Sequence, residues 1–309
     1  MLRRTFLTTG AAATLGACAA VPEDEALRRW PPLGEIMPVG GVDVHYWQRG
    51  EGRPVVLIHG ASGNLRDFTF DLAPRLAQNH RVIAFDRPGF GYSGRIAERG
   101  WDPAVQAALL RQATAELGAE RPIIVGHSWG GALTMAWGID APDAVSGLVT
   151  LGGATMPWGG DISFLYTLNA SDVTDSLTSN LIATFATEGL IESFMEGTFA
   201  PQPIPEGYAA YVGGPLATRP RTVRYNAHDI TNLNAMLERQ SKQYPNLYTP
   251  VEIVHGAVDE AVWANLHAEG MHALLPNSRL TLLDGVGHMP HHARPEAVVA
   301  AVERLSAVS

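Results

Sequence analysis

The sequence predicts an α/β fold: a doubly wound, mostly parallel sheet with a helical insertion late in the sheet. Two observations support this prediction. Short apolar runs alternate with longer helical patterns from residue 41 onward, and the alternation stops between about residues 154 and 250. Repeated strand, helix, strand units build parallel sheets covered by helices on both faces. The later runs are nearly all apolar, as expected for strands buried on both faces.

The individual elements follow from this pattern. Val42–Gln48 and Val55–His59 are predicted to form an antiparallel pair of strands. The later predicted strands are Val82–Asp86, Ile123–Val125, Leu148–Leu151, Val251–His255 and Leu280–Leu283. Helices of the sheet are predicted at Pro103–Leu117, Gly130–Asp140, Ala261–Leu275 and Pro295–Leu305. Helices of the insertion are predicted at Ser176–Thr187, Leu190–Met195 and Ile230–Lys242.

Composition limits the class of protein. The 309 residues are 46% hydrophobic and 17% charged, which is ordinary for a soluble globular protein with a substantial core. The formal net charge is −9, and no run of Lys or Arg is longer than two residues. A protein that binds phosphate backbones needs a basic patch. We therefore predict no nucleic-acid partner.

The first residues differ from the rest and predict an export signal over residues 1–17. Arg3 and Arg4 precede an uncharged stretch of 13 residues, which is shorter than the roughly 20 apolar residues of a spanning helix. Residues 3–7 resemble a twin-arginine signal, and residues 15–18 resemble the lipobox of bacterial lipoproteins. This resemblance implies lipidation at Cys18, a tether over residues 18–35, and a periplasmic or cell-surface protein anchored to a bacterial membrane. Cleavage at a nearby Ala-x-Ala-like site, which would release a soluble protein, is the alternative.

Cysteine chemistry is excluded by count. Cys18 is the only cysteine of the chain. The sequence therefore offers neither a disulfide framework nor a cysteine nucleophile once that residue is modified.

The stretch VGHSWGGA at residues 125–132 predicts a nucleophile. Its Gly-x-Ser-x-Gly pattern follows a predicted strand and precedes a predicted helix, which is the context of a nucleophile elbow. Gly126 and Gly130 provide the clearance that a strained turn needs. Ser128 is therefore the candidate nucleophile, and the helix N-terminus behind it favours developing negative charge.

A serine hydroxyl needs a base and a carboxylate to activate it. His288 follows the last predicted strand on a glycine-rich loop and is the candidate base. Asp259 lies at the end of the strand before that one, so the order Ser, Asp, His matches the hydrolase order. Asp284, which is near His288 in the sequence, is the main rival for the acid, and Asp229 and Glu260 are weaker candidates.

Two backbone N–H groups are expected to bind the oxyanion. Trp129 supplies one by its position after the serine. Ala61, in the Gly-rich loop at residues 59–63, is the candidate for the second, with Ser62 as the alternative. That loop lacks the Lys of a P-loop and the spacing of a dinucleotide fingerprint, so we predict no cofactor. The histidines at residues 288–292 have no companion acidic or His pair at ligand spacing in the sequence, so we predict no metal site.

Five stretches carry a resemblance to the α/β-hydrolase superfamily. They are HGASG at 59–63, DRPGFGYS at 86–93, GHSWGG at 126–131, HGAVD at 255–259 and GHMP at 287–290. The resemblance covers about residues 40–305 and implies an α/β-hydrolase fold of the lidded, serine-nucleophile branch, similar to esterases, cofactor-free haloperoxidases and C–C bond hydrolases. It places the core at residues 36–153 and 251–309 and a helical lid at 154–250. Haloalkane dehalogenases and epoxide hydrolases use Asp where this chain has Ser128, which disfavours those activities.

The expected substrate is a small-molecule ester with an apolar acyl or alkyl group. The insertion is rich in aromatic residues, which either form its own core or line a pocket. The candidate pocket residues are Trp158, Phe164, Phe194 and Met289. Arg219, Arg221 and Arg224 form either a solvated face or a receptor for a substrate carboxylate, as in C–C bond hydrolases. A fold retained only for ligand binding is the non-enzymatic alternative.

Overall fold

The structure, a computed structural model, describes residues 20–159 and 175–308 of the chain. Within these residues eight strands form one sheet in the order β1-β2-β4-β3-β5-β6-β7-β8. The strands are β1 Glu35–Val39, β2 Val42–Arg49, β3 Pro54–Ile58, β4 Arg81–Phe85, β5 Ile123–His127, β6 Gly147–Leu151, β7 Val251–Gly256 and β8 Ser278–Leu283. Strands β3 to β8 are mutually parallel, and β1 and β2 are antiparallel to their neighbours. The predicted α/β-hydrolase fold class is therefore confirmed.

The predicted antiparallel pair of β2 and β3 is wrong. Strand β4 lies between them: it pairs antiparallel with β2, with Tyr46 opposite Phe85, and parallel with β3, with Val56 opposite Ile83. The burial patterns give the physical reason. Residues 55–58 of β3 are all buried, whereas β2 has exposed residues at both ends. A strand that is apolar on both faces is stable in the middle of a sheet under helices, so β3 lies between β4 and β5.

Helices cover both faces of the sheet and fill the insertion. Those of the core are α2 Arg66–Thr69, α3 Leu72–Leu76, α4 Pro103–Glu116, α5 Trp129–Asp140, α10 Gly270–Leu274, α11 Pro290–Ala293 and α12 Pro295–Val308. Those of the insertion between β6 and β7 are α6 Asp175–Phe185, α7 Glu188–Phe199, α8 Tyr208–Val212 and α9 Pro220–Gln240. Two apolar clusters include residues of the central strands, so the sheet has a core on each face.

One predicted helix begins later than expected. The segment predicted as Ala261–Leu275 becomes helical at Asn265, through a π-helical turn that continues into α10. The backbone N–H groups of Ala261 and Val262 instead donate to the side chain of Asp259, each at 2.9 Å. A side chain that satisfies these N–H groups competes with helix formation there.

The N-terminal region differs from the predicted tether over residues 18–35. Its described part contains helix α1 Glu23–Arg29, whose Ala26 is fully buried. Trp30 is also buried and donates its indole N–H to the carbonyl of Ala210 in the insertion at 2.8 Å. Two buried apolar side chains and a hydrogen bond hold this segment against the fold. The predicted export signal and Cys18 lie outside the described residues.

The topology brings the candidate site residues to one edge of the sheet. Parallel strands end at a common edge, where α/β proteins form their sites. The loops after β3, β5, β7 and β8 carry residues 59–63, Ser128, Asp259 and His288, respectively. No helix in the described parts of the chain is long and apolar enough to cross a membrane.

Candidate active site

Ser128 lies on a strained turn between β5 and α5. Its φ is 53° and its ψ is −119°, a conformation that L-residues rarely adopt. Glycine is required on both sides because the turn is crowded. A Cβ on Gly126 would lie 2.2 Å from the carbonyl oxygen of Gly130, and a Cβ on Gly130 would lie 2.4 Å from that of Ile58. The strain holds the Ser128 side chain at the start of a helix, beyond the end of the strand.

The structure brings Ser128, His288 and Asp259 together. The Ser128 hydroxyl oxygen is 3.0 Å from Nε2 of His288, and Nδ1 of His288 is 2.7 Å from a carboxylate oxygen of Asp259. His288 and Asp259 are buried. With a proton on Nδ1 donated to Asp259, Nε2 is free to accept the serine proton, which is the arrangement that general-base activation requires.

Asp259 is held as a carboxylate. Burial would raise its pKa, but hydrogen bonds from His255 and His288 outweigh that effect and hold the pKa of Asp259 below its usual range. The second carboxylate oxygen accepts the two backbone N–H groups of residues 261 and 262. A charged acceptor opposite Nδ1 fixes the tautomer and orientation of His288.

The weaker acid candidates lie elsewhere. Asp284 and Glu260 are exposed. Asp229 is fully buried and forms ion pairs with Arg87 at 2.8 Å and Arg95 at 2.6 Å. None of the three is hydrogen-bonded to His288 among the described contacts.

The loop at residues 59–63 passes directly against the serine. A Cβ on Gly60 would lie 2.9 Å from Cβ of Ser128, so the loop fits only with glycine there. The N–H of Ser62 donates to the side chain of Asn226 at 2.9 Å and is therefore occupied. This leaves Ala61 as the better candidate for the second oxyanion donor. Trp129 is the first residue of α5, where backbone N–H groups have no acceptor within the helix.

Arg87 supports this loop and was not singled out from the sequence, although it lies in the motif at residues 86–93. Its guanidinium is fully buried, 4.0 Å from the ring of Trp129 and 4.2 Å from that of Phe90. Besides Asp229, it contacts the carbonyl of Gly60 at 3.3 Å. Burial lowers the pKa of Arg87 to about 10, against the opposing effect of Asp229, so the group stays charged at neutral pH. The Arg87 side chain therefore contacts both segments that carry the candidate oxyanion donors, the loop at residues 59–63 and Trp129.

A family model described as alpha/beta hydrolase fold matches residues 53–295. The chain belongs to the alpha/beta hydrolase fold family. Haloalkane dehalogenase 2 of Mycobacterium bovis is 27% identical, over 84% of this chain and 90% of the relative. The 2-hydroxy-6-oxo-2,4-heptadienoate hydrolase of Pseudomonas putida is 33% identical, over 39% of this chain and 44% of the relative. With these relatives, the chain is an enzyme of the hydrolase type.

Two solved structures of similar shape are an esterase and a peroxidase. The esterase RhEst1 from Rhodococcus has a TM-score of 0.68 and 25% identity, and the match covers 89% of this chain and 98% of that one. The bromoperoxidase from Bacillus anthracis has a TM-score of 0.69 and 21% identity, covering 85% of this chain and 95% of that one. The second likeness shows the fold alone.

A second polar cluster lies beside the active site of this hydrolase, and sequence spacing did not predict it. Asp67 lies 224 residues before His291, yet its carboxylate is 3.1 Å from Nε2 of His291 and 2.8 Å from Nε2 of His292. The hydroxyl of Tyr208 in the insertion also donates to it at 2.8 Å. The inference that no acidic companion accompanies these histidines is therefore wrong, because the chain fold supplies one.

This cluster offers three ligand-type atoms within 4.8 Å of one another, a set that could in principle hold a metal ion. Hydrogen bonds among the three side chains explain this cluster without a metal ion. Both Nε2 atoms point at one carboxylate, and neither Nδ1 atom has a partner among the described residues. Histidines that bind metals normally have their other ring nitrogen held by a hydrogen bond. Burial would raise the pKa of Asp67, but His291 and His292 hold it well below its usual value.

His127 lies between this cluster and the loop that carries His288. Its Nε2 is 2.9 Å from the carbonyl oxygen of His288, and its ring centroid is 4.6 Å from that of His291. Burial lowers the pKa of His127 well below its usual value, so the ring is neutral and donates one hydrogen bond to that carbonyl.

The predicted pocket residues of the hydrolase have different positions. Trp158 is half-buried, and its backbone N–H donates to Asn234 at 2.9 Å. Met289 is buried with Phe199 in the apolar cluster of the insertion. Phe194 is 60% exposed, so it is a surface residue rather than a pocket residue. Phe164 lies outside the described residues.

Arg219 and Arg221 of the insertion bind protein groups in this structure. Arg219 is buried, which excludes it from a solvated face, and it donates to the carbonyls of Leu216 and Gly91. Arg221 forms an ion pair with Glu23 at 3.3 Å. These contacts tie the insertion to its surroundings.

Proposed function

We propose that this protein is a serine hydrolase that cleaves carboxylic esters of small to medium apolar substrates. The observation that carries the proposal is the pair of hydrogen bonds from Ser128 to His288 and from His288 to Asp259, at 3.0 and 2.7 Å. A nucleophile, a base and an orienting carboxylate in hydrogen-bond contact are the requirements for acyl transfer.

The proposed reaction has two halves. Ser128 Oγ attacks the ester carbonyl carbon while Nε2 of His288 takes the hydroxyl proton. The N–H groups of Trp129 and Ala61 stabilise the resulting oxyanion. The C–O bond to the alcohol then breaks, and His288 returns the proton to the leaving alkoxide. Water attacks the acyl-enzyme with His288 again as the base, which releases the carboxylic acid and restores Ser128.

The contacts of the insertion favour an ester over a C–C bond substrate. A receptor for a substrate carboxylate needs a cation free to bind it. Arg219 already donates to two backbone carbonyls, and Arg221 is paired with Glu23. Perhydrolysis would use the same residues with hydrogen peroxide in place of water, and no contact in the described residues favours it.

The test is hydrolysis of p-nitrophenyl acetate, butyrate and octanoate by the purified protein. We expect Ser128→Ala to lower kcat by roughly 10⁴-fold or more, since the acyl-enzyme can no longer form. Ser193→Ala, an exposed serine of α7, is the matched control and should leave the rate unchanged. Equal rates for the parent and Ser128→Ala would refute the proposal. Saturable binding of these esters without turnover would instead indicate a binding protein.

We also propose that the protein is exported and anchored to a bacterial membrane through a lipid at Cys18. The signal-like residues 1–17 support this proposal. Cys18→Ala should move the protein from the membrane fraction of the producing cells to the soluble fraction. Unchanged fractionation would rule out the lipid anchor.

A further inference from the structure

Helix α7 of the insertion has more apolar surface than its packing uses. One stripe, made by Ile191, Met195 and Phe199, faces the protein. A Cβ on Gly214 would lie 2.5 Å from Ile191 and 2.7 Å from Met195, so these side chains pack tightly there. Phe199 is buried, with its ring 5.0 Å from that of Tyr208. This single stripe is what an amphipathic helix needs to dock on its own fold.

A second set of apolar side chains in this part of the insertion is exposed to solvent. Phe185 at the end of α6 is 65% exposed, and Leu190 and Phe194 on α7 are each 60% exposed. Residues four apart on a helix lie on one face, so Leu190 and Phe194 are neighbours. We name these three residues the outer patch. Large apolar side chains that are exposed this close together in the chain are costly in water and typically mark a surface that contacts a protein or a membrane.

The N-terminal segment enters the fold at this patch. Ala20 forms an isolated antiparallel bridge with Thr187, which lies between Phe185 and Leu190 in sequence. Cys18 is two residues before Ala20. Two residues of extended chain span at most about 7 Å. The attachment point of a lipid on Cys18 would therefore be no more than about 7 Å from Ala20.

We propose that the outer patch docks into the acyl region of a phospholipid bilayer and holds the insertion against the membrane surface. The position of Ala20 supports a bilayer as the occupant, because the predicted anchor and the patch would then reach the same surface. The choice of a bilayer rests on the proposed anchor at Cys18, whereas the inference is independent of the ester reaction.

The charges of α7 bear on which lipids the patch fits. Glu192 and Glu196 are exposed, while Glu188 is paired with Arg29 at 2.8 Å. Each of these two exposed glutamates is two residues from a patch residue, so it faces away from the patch. Because α7 carries no Lys or Arg, docking should depend on apolar burial rather than on attraction to anionic headgroups.

The same helix connects the patch to the catalytic loop. The ring of Phe199, at the far end of α7, lies 5.3 Å from that of His292, which is four residues after His288. Docking at the patch would therefore place the membrane about one helix length from the loop that carries His288.

The test is flotation with phosphatidylcholine vesicles, using the full chain with Cys18→Ala so that no lipid anchor contributes. In this background Phe185→Ser, Leu190→Ser and Phe194→Ser are combined. The matched control combines Tyr248→Ser and Trp263→Ser, which are 72% and 59% exposed elsewhere on the protein. Thermal unfolding of each variant verifies that the polar replacements leave the fold intact.

We expect the partition coefficient of the triple variant to be at least about tenfold lower, the control to stay within about twofold, and added phosphatidylglycerol to give no increase. The proposal fails if the triple variant binds vesicles as well as its parent, or if the control loses as much. It also fails if the parent does not bind vesicles. Conversion of a dimer to a monomer by the triple change, with vesicle binding unaltered, would identify a second copy of the chain as the occupant instead.

Discussion

At the scale of single residues, the carboxylate that orients His288 is selected by strand position and burial rather than by nearness in sequence. Asp284 is four residues from His288 but exposed. Asp259 is 29 residues away, but it is buried and one of its carboxylate oxygens lies 2.7 Å from Nδ1 of His288. The sequence predicted Asp259 because it follows a buried strand, and the structure places it against His288. Asp67 could not be predicted in this way, because its partners His291 and His292 are brought to it only by the tertiary fold.

This difference gives a paired prediction. Asp259→Asn should lower kcat by roughly 10³-fold or more, since the amide favours the wrong tautomer of His288 while leaving the packing nearly unchanged. Asp284→Asn makes the same chemical change at the rival position and should leave kcat unaltered. Steady-state kinetics on p-nitrophenyl butyrate measures both. A large loss in Asp284→Asn, with Asp259→Asn active, would reverse the assignment.

At the scale of elements, helix α9 of the insertion is fastened to the oxyanion region through Asp229. The Asp229 carboxylate forms ion pairs with Arg87 and Arg95, and the backbone carbonyl of Asp229 accepts the indole N–H of Trp129 at 3.2 Å. A helix of the insertion therefore supports the residue that follows the serine. Sequence reasoning treated Asp229 only as a weak acid candidate, because neither arginine is near it in the chain.

Removing this carboxylate should destabilise the fold. Asp229→Asn leaves two arginines near a neutral amide, and loss of one partner of a buried ion pair typically costs about 3–5 kcal/mol. Glu238→Gln, at an exposed position of the same helix, is the control and should change the free energy of unfolding by less than about 0.5 kcal/mol. Urea denaturation measures both. If Asp229→Asn is as stable as the control, the ion pairs do not fasten the helix.

Strand identity was more predictable than strand pairing. Buried runs such as Ile123–Val125 and Val251–His255 were recognised because parallel strands under helices are apolar on both faces. The partner of β2 was not recognised, because the local sequence does not indicate which later strand lies beside β2. The helical start at Asn265 was missed for a related reason, because Asp259 captures the N–H groups that would begin an earlier turn.

At the scale of the whole molecule, several buried histidines make stability depend on pH. Burial lowers the pKa of His59 and that of His267 to about 4 each, and it also lowers the pKa values of His127 and His291. In the unfolded chain a histidine titrates near pH 6.5. Between about pH 6.5 and 4 the unfolded state therefore binds more protons than the folded state, so stability falls as the pH is lowered.

We expect the free energy of unfolding at pH 4.5 to be several kcal/mol below that at pH 7.5, with each fully neutral buried histidine contributing up to about 3 kcal/mol. His267→Gln, whose side-chain oxygen can still accept the N–H groups of Thr155 and Met156, should reduce this loss. Urea denaturation at the two pH values tests the prediction. Equal stability at both would show that these rings are not held neutral by the fold.

The central claim is that Ser128 is the nucleophile of this hydrolase. The most direct measurement is covalent labelling with an alkyl fluorophosphonate, followed by peptide mapping by mass spectrometry. Attack by an activated serine displaces fluoride and leaves a stable phosphonyl ester on that oxygen. We expect one adduct per chain on the peptide that contains Ser128, loss of esterase activity in proportion to labelling, and no adduct in His288→Ala. Full activity in unlabelled protein after prolonged exposure, or an adduct on another residue that tracks the loss of activity, would contradict it.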